Sequence, residues 1–211
     1  MAPHSSSGSV PAFRAISRRL VRGATGLSLA WTAAFCAARR PVPATSQPTL
    51  TAPRVVPLQQ GLVLETSGPP PSDTSVTFRA GDARMIVLRH GPPENILFAT
   101  LAFRMDAFAD SGQSVRVDVH PRPGVYGLDF STSLPLRPRG ASLAYGYARF
   151  FSAPARARKV YGSDVAYQRA LAIGRILPEN RLELLPSSRP AADVLEAELP
   201  GTGSYLVAAP E

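Results

Sequence analysis

The chain has 211 residues, 23 basic and 15 acidic side chains, a net charge of +8 and a pI near 10.5. All 15 acids lie at or after Glu65, and residues 55–211 hold 16 basic and 15 acidic groups, so the body carries only +1 and the basic excess is no argument for nucleic-acid binding. The single cysteine, Cys36, lies in the N-terminal segment, which leaves the body without a disulfide, a thiolate metal site or a cysteine nucleophile.

In chain order, the first segment is cationic. Arg14, Arg18, Arg19 and Arg22 precede residues 26–38, a run of 13 mostly apolar residues. A basic start followed by a short apolar run reads as an export signal, and it is shorter than the ~20 apolar residues a spanning helix needs. Three processing routes are open. The first is cleavage at a small-residue site near Ala38 or Ala44. The second is twin-arginine export, which Ser17-Arg18-Arg19-Leu20-Val21 partly matches, with Arg22 standing where that signal wants an apolar residue. The third is a lipid anchor on Cys36, where Phe35 replaces the small residue such a site wants. The expected division is an export signal over 1–38, or to 44, a Pro/Thr/Ala-rich linker over 39–60, and one domain over 61–211.

The body is expected to be all-β, a single antiparallel sandwich. The chain holds 22 prolines, about twice the usual share of roughly 5%. Proline breaks helix interiors and is tolerated at strand edges and turns. Residues 74–80 alternate, with Val76 and Phe78 on one face. Residues 114–121 alternate more regularly: Val115, Val117 and Val119 oppose Arg116, Asp118 and His120. Such period-two patterns mark half-buried strands. Apolar runs at 83–90 and 96–103 add two more. Further strands are expected at 127–133, 141–150, 182–185, 194–199 and 204–208, separated by Gly- and Pro-bearing turns. Residues 165–177 read two ways. Ser163 can cap a helix there, but Gly174 and the turn at Pro178-Glu179-Asn180 favour a strand. The basic cluster Arg156, Arg158 and Lys159 reads as a solvated loop.

Catalytic constellations are sparse. Arg89-His90-Gly91, after an apolar strand, resembles the signature of the histidine phosphatase superfamily, in which the His attacks phosphate. That resemblance implies a second His on an α/β scaffold; here the only later His is His120, in an alternating strand. Asp106, Asp110 and Asp118 are too sparse for a metal or calcium loop, so no metal or other cofactor is expected. Tyr145 and Tyr147 share one strand face, which suits either core packing or an exposed carbohydrate-stacking platform.

Residues 102–122 with the turn Pro123-Gly124-Val125, then 130–148 and 194–209, resemble the opening, middle and closing strands of the spectrin-binding sandwich domain found in ankyrins, netrin receptors and zona-occludens proteins. Residues 182–189 have no counterpart. The resemblance implies an antiparallel sandwich used for protein interaction, without a cofactor. Some members of that family cleave themselves at His-Phe-Ser; the matching place here is Thr202-Gly203-Ser204, where the activating His is missing. The expectation is an exported, non-enzymatic envelope module whose partner is another envelope protein or, through Tyr145 and Tyr147, a surface glycan. Nucleic acid is not an expected partner, and the membrane is met only through the signal or a lipid on Cys36.

Overall fold

A computed structural model describes residues 52–211. The export signal, Cys36 and the greater part of the expected linker lie outside the described residues. In chain order the elements are β1 (Arg54–Pro57), a short 3₁₀ turn (Leu58–Gln60), β2 (Gly61–Val63), β3 (Glu65–Thr66), β4 (Thr74–Arg79), β5 (Arg84–Arg89), β6 (Leu97–Phe103) and β7 (Ser114–Pro121). There follow β8 (Gly127–Thr132), β9 (Ala141–Gly146), β10 (Phe151–Ser152), α1 (Ala155–Tyr161), α2 (Asp164–Ala170), β11 (Ala172–Leu177), β12 (Arg181–Leu184), β13 (Ser187–Ala191), β14 (Val194–Leu199) and β15 (Gly203–Pro210).

The fold is an all-β antiparallel sandwich with two short helices. One sheet has five strands in the order β13-β14-β9-β6-β5; the other has eight, in the order β1-β12-β11-β15-β8-β7-β4, with β2 also paired to β15. β3 and β10 form a small separate ribbon. The alternation seen in the sequence faces the sheets toward each other. Val115, Val117 and Val119 of β7 are fully buried, as are Leu101 of β6, Leu143 of β9 and Leu195 of β14. Each such side chain contributes roughly 1.5–3 kcal/mol by leaving water. Rings fill the middle: Phe98 and Tyr126 stack at 5.5 Å, and Phe130 and Tyr205 at 5.7 Å.

Ordered structure begins before Gly61, the expected boundary. β1 pairs with β12, and β2 with β15, while β11 lies between those two partners. β1 and β2 are joined by a three-residue turn and run in the same direction, so the segment reaches from β12 to β15 beside β11. Here lies a second core of Val56, Ala172, Leu182, Leu184, Leu206 and Ala208. Its tight packing depends on glycine: a Cβ on Gly61 or Gly174 would lie 2.7 Å from a methyl of Leu182. Gly174, which weakened a helical reading of this region, is thus the residue that leaves room for Leu182 against β11.

Two more expectations need correction. The Arg156–Lys159 cluster is not a loop but part of α1, which follows Pro154 and ends where Gly162 takes φ +72, a left-handed conformation glycine adopts at little cost. Residues 165–177 are neither all strand nor all helix. The Ser163 hydroxyl accepts from the Ala166 N–H and caps α2, which stops at Ala170 before β11 begins. The end of α2 is held from outside. Arg189 of β13 donates to the carbonyls of Gln168 and Leu171 and to the Tyr147 hydroxyl. The two terminal nitrogens of the fork serve the Tyr147 hydroxyl and the helix end separately, which the single nitrogen of a lysine cannot do from one position. We expect Arg189→Lys to cost about 1–3 kcal/mol in urea unfolding, because helix-end carbonyls lose their donor. A loss within experimental error would show that the clamp is dispensable.

Candidate functional site

Placing each expected site residue removes most of the chemistry. Tyr145 and Tyr147 do share a face, but it is the inner one, and both are 0% exposed. The Tyr145 hydroxyl donates across the sandwich to the Tyr205 carbonyl at 3.4 Å, and the Tyr147 hydroxyl donates to the Ala192 carbonyl at 3.3 Å. A sugar cannot stack on a ring that no solvent reaches, so the glycan platform is absent at these positions.

His90 is also buried, at 1% exposure. Its Nδ1 lies 2.9 Å from the Pro69 carbonyl, which can only accept, so Nδ1 carries the proton. Nε2 is buried with no hydrogen-bond partner among the described residues. Phe98, Phe150 and Tyr126 surround the imidazole edge-on. Arg89 points the opposite way, is exposed, and donates to the Asn95 carbonyl. His120 lies on the other sheet and meets Asp73 at 2.9 Å. An attacking imidazole needs access to phosphate, and at 1% exposure His90 lacks it. It is a packing residue that ties the end of β5 to the Pro69 loop.

The outer face of the eight-stranded sheet is polar and paired with itself. Asp118 is held below the usual carboxylate range by hydrogen bonds from Ser75 and Arg116. Burial pushes the Asp129 carboxyl up, but the fork of Arg122 and the Ser204 hydroxyl outweigh it and hold it low. Ser204, the position of the absent self-cleavage element, accepts from Arg122 at 3.2 Å and has no imidazole beside it. Asp106 faces Arg104 and Asp110 faces Gln113. Among the described residues no cluster of three or more His, Asp or Glu is placed to hold a metal ion.

The outer face of the five-stranded sheet is different. Strand register lines its outward residues into two rows. One runs Met85, Ala102, Ser142, Glu198, and the other Val87, Thr100, Ala144, Glu196. Each row is large at β5, small over β6 and β9, and large again at β14. Met85 is 62% and Val87 44% exposed, so the apolar wall faces solvent. With strands ~4.8 Å apart, the trough is about 14 Å wide between its walls. Three concavities meet at its acidic wall. One of about 210 Å³ lies over Ala102, Ser142, Glu196 and Glu198; one of about 220 Å³ lies beside Ser188 and Glu196; and a cleft of about 430 Å³ runs past Arg139 and Glu198 to Pro53. Glu198 is partly engaged by Arg139 at 3.5 Å, whereas Glu196 has no cationic partner among the described residues.

This trough offers a shallow floor, an apolar wall and an acidic wall, with Ser142 directly across from Glu198 and Ser188 across from Glu196. Sequence reasoning missed it because the eight residues of the two rows come from four separated strands. Nor do known proteins add a name to the geometry: no family model, no curated protein and no solved structure matches this chain.

Proposed function

We propose that this chain is an exported, non-catalytic β-sandwich that binds another protein of the cell envelope across the outer face of its five-stranded sheet. The observation that carries the reading is the pair of rows running from Met85 and Val87 to Glu198 and Glu196. A partner helix about 10–12 Å across fits a floor of this width. It would set apolar side chains against Met85 and Val87 and a Lys or Arg against Glu196. The acid-free, arginine-bearing N-terminal segment supports delivery to the envelope. The likeness of residues 102–209 to the spectrin-binding sandwich supports a protein partner rather than a glycan, and so does the burial of Tyr145 and Tyr147.

The test is site-specific photo-crosslinking in the native host. With p-benzoylphenylalanine at Ala144 we expect a discrete protein adduct, and with the same group at Ser131 on the opposite sheet none. Reversing both acids, Glu196→Lys with Glu198→Lys, should cut the Ala144 adduct about tenfold, equivalent to ~1.4 kcal/mol of lost complementarity. Equal adducts at both positions, or none at Ala144, would defeat the reading. So would turnover of a phosphate or ester substrate that disappears in His90→Ala.

A further inference from the structure

The body's small net charge conceals a separation. Of the 16 basic and 15 acidic groups in residues 55–211, the helical pair over 155–170 holds Arg156, Arg158, Lys159 and Arg169 against Asp164 alone. That is 4 − 1 = +3, and the remaining 12 basic and 14 acidic groups give −2. The positive charge of the body is therefore concentrated on α1 and α2. Arg158 is paired with Asp164, and Arg156 with Glu211, whereas Lys159 and Arg169 have no carboxylate partner among the described residues. Beside these free cations stand two exposed apolar side chains, Val160 at 43% and Val165 at 57%.

The location matters as much as the composition. Arg156 also donates to the Gln59 carbonyl, in the turn that follows β1. Burial raises the Tyr161 phenol of α1, and the nearby Arg54 of β1 offsets part of that rise. Val55 of β1 is itself 50% exposed. The helical pair thus flanks the strand by which the N-terminal segment enters the domain. Between the apolar run that ends at residue 38 and Ala52 lie residues 39–51, thirteen residues that span at most about 45 Å when extended.

We infer that α1, α2 and the start of β1 form a docking surface for an anionic lipid bilayer, with Lys159, Arg169 and Arg54 meeting headgroup phosphates and Val160 and Val165 entering the interface. This rests on the envelope reading above, since the cationic, apolar N-terminal segment is what brings the domain to a membrane. Basic groups interspersed with apolar ones are the composition of an interfacial helix surface. Nucleic acid would satisfy the cations but leaves the valines without a role.

The full chain carrying Cys36→Ser, with a single nitrobenzoxadiazole label on Val165→Cys or on Thr77→Cys as the control, is titrated with vesicles. One set is an equal mixture of phosphatidylglycerol and phosphatidylcholine, and the other is phosphatidylcholine alone. Flotation of the same samples reports total binding. The expected result is a blue shift and rise in emission at Val165 on the anionic vesicles only, none at Thr77, and loss of the signal near 0.5 M salt. Lys159→Glu with Arg169→Glu should weaken the response about tenfold. A chain that floats with the anionic vesicles while the Val165 label stays silent, or responds equally at Thr77, overturns the docking surface and leaves the envelope reading intact. A chain that does not float overturns both. A Val165 response to duplex DNA without one to vesicles overturns the lipid assignment.

Discussion

Raising the pH from 9 to 12 should unfold the domain in one cooperative step, with tyrosine ionisation appearing as that step rather than as a gradual rise near pH 10. All six tyrosines lie in the body. Burial pushes the phenols of Tyr126, Tyr145, Tyr161, Tyr167 and Tyr205 up, that of Tyr205 to about 12 and those of Tyr145 and Tyr167 strongly. Each of the last three is 0% exposed and uses its hydroxyl proton to donate to a backbone carbonyl: Tyr145 to Tyr205, Tyr167 to Leu62 and Tyr205 to Gly201. Ionisation would remove the donated proton and leave a buried charge facing a carbonyl oxygen. The folded pKa is raised, so the folded state keeps its protons longer than the unfolded chain does. The stability these groups contribute is complete below the unfolded pKa of about 10 and is lost as the pH climbs toward the folded values. At ~1.4 kcal/mol per pH unit, Tyr205 alone, held up to about 12, gives up roughly 2–3 kcal/mol over two units, and Tyr145 and Tyr167 add to that loss, against the about 5–15 kcal/mol that holds an ordinary domain together. Absorbance at 295 nm and far-ultraviolet circular dichroism should change together between pH 10 and 12. Tyr145→Phe should move the midpoint upward, since its hydrogen bond at 3.4 Å is long and its ionisation is what the mutation removes. Tyrosinate forming near pH 10 with the circular dichroism unchanged would contradict a core built on these rings.

That core shows where sequence patterns suffice and where they stop. Val115, Val117 and Val119 are legible because one face of β7 is buried and the other wet, so hydrophobicity repeats with period two. Tyr145 and Tyr147 obey the same period, and their shared face was readable, but not which side of the sheet that face would be. Only the register of Tyr145 against Ala99 of β6 and Leu195 of β14, and the second sheet beneath, put both rings inside. β1 escaped notice because Pro53 and Pro57 bracket it. As an edge strand pairing only with β12, it tolerates a proline that a central strand would reject. α1 escaped because four of its seven residues are Arg, Lys or Tyr and only Ala157 is buried, which leaves almost no apolar stripe. The trough is the extreme case. Val87, Thr100, Ala144 and Glu196 become neighbours through pairing alone, and no local signal in any one strand announces the row they make.

The second core at the β1 end makes the second strong prediction, because it is small enough for one side chain to decide its fit. Leu182 is fully buried between two glycines on facing strands, and a Cβ at Gly174 would stand 2.7 Å from one of its methyls. Gly174→Ala alone should therefore cost about 1–3 kcal/mol, since the added carbon overpacks a site where β11 pairs on both sides and cannot withdraw. Leu182→Ala alone should cost about 3–4 kcal/mol, from lost burial and the cavity left among Val56, Leu184 and Leu206. Together the two changes should not add. The space vacated by the leucine methyls is where the new Cβ goes, so the double variant should be no less stable than Leu182→Ala, a coupling of at least ~1 kcal/mol. Urea midpoints of the four proteins of this cycle give the number directly. Strict additivity would mean that the chain relaxes around Gly174 without reference to Leu182. The close approach of Leu182 to Gly174 would then not limit the packing of this second core.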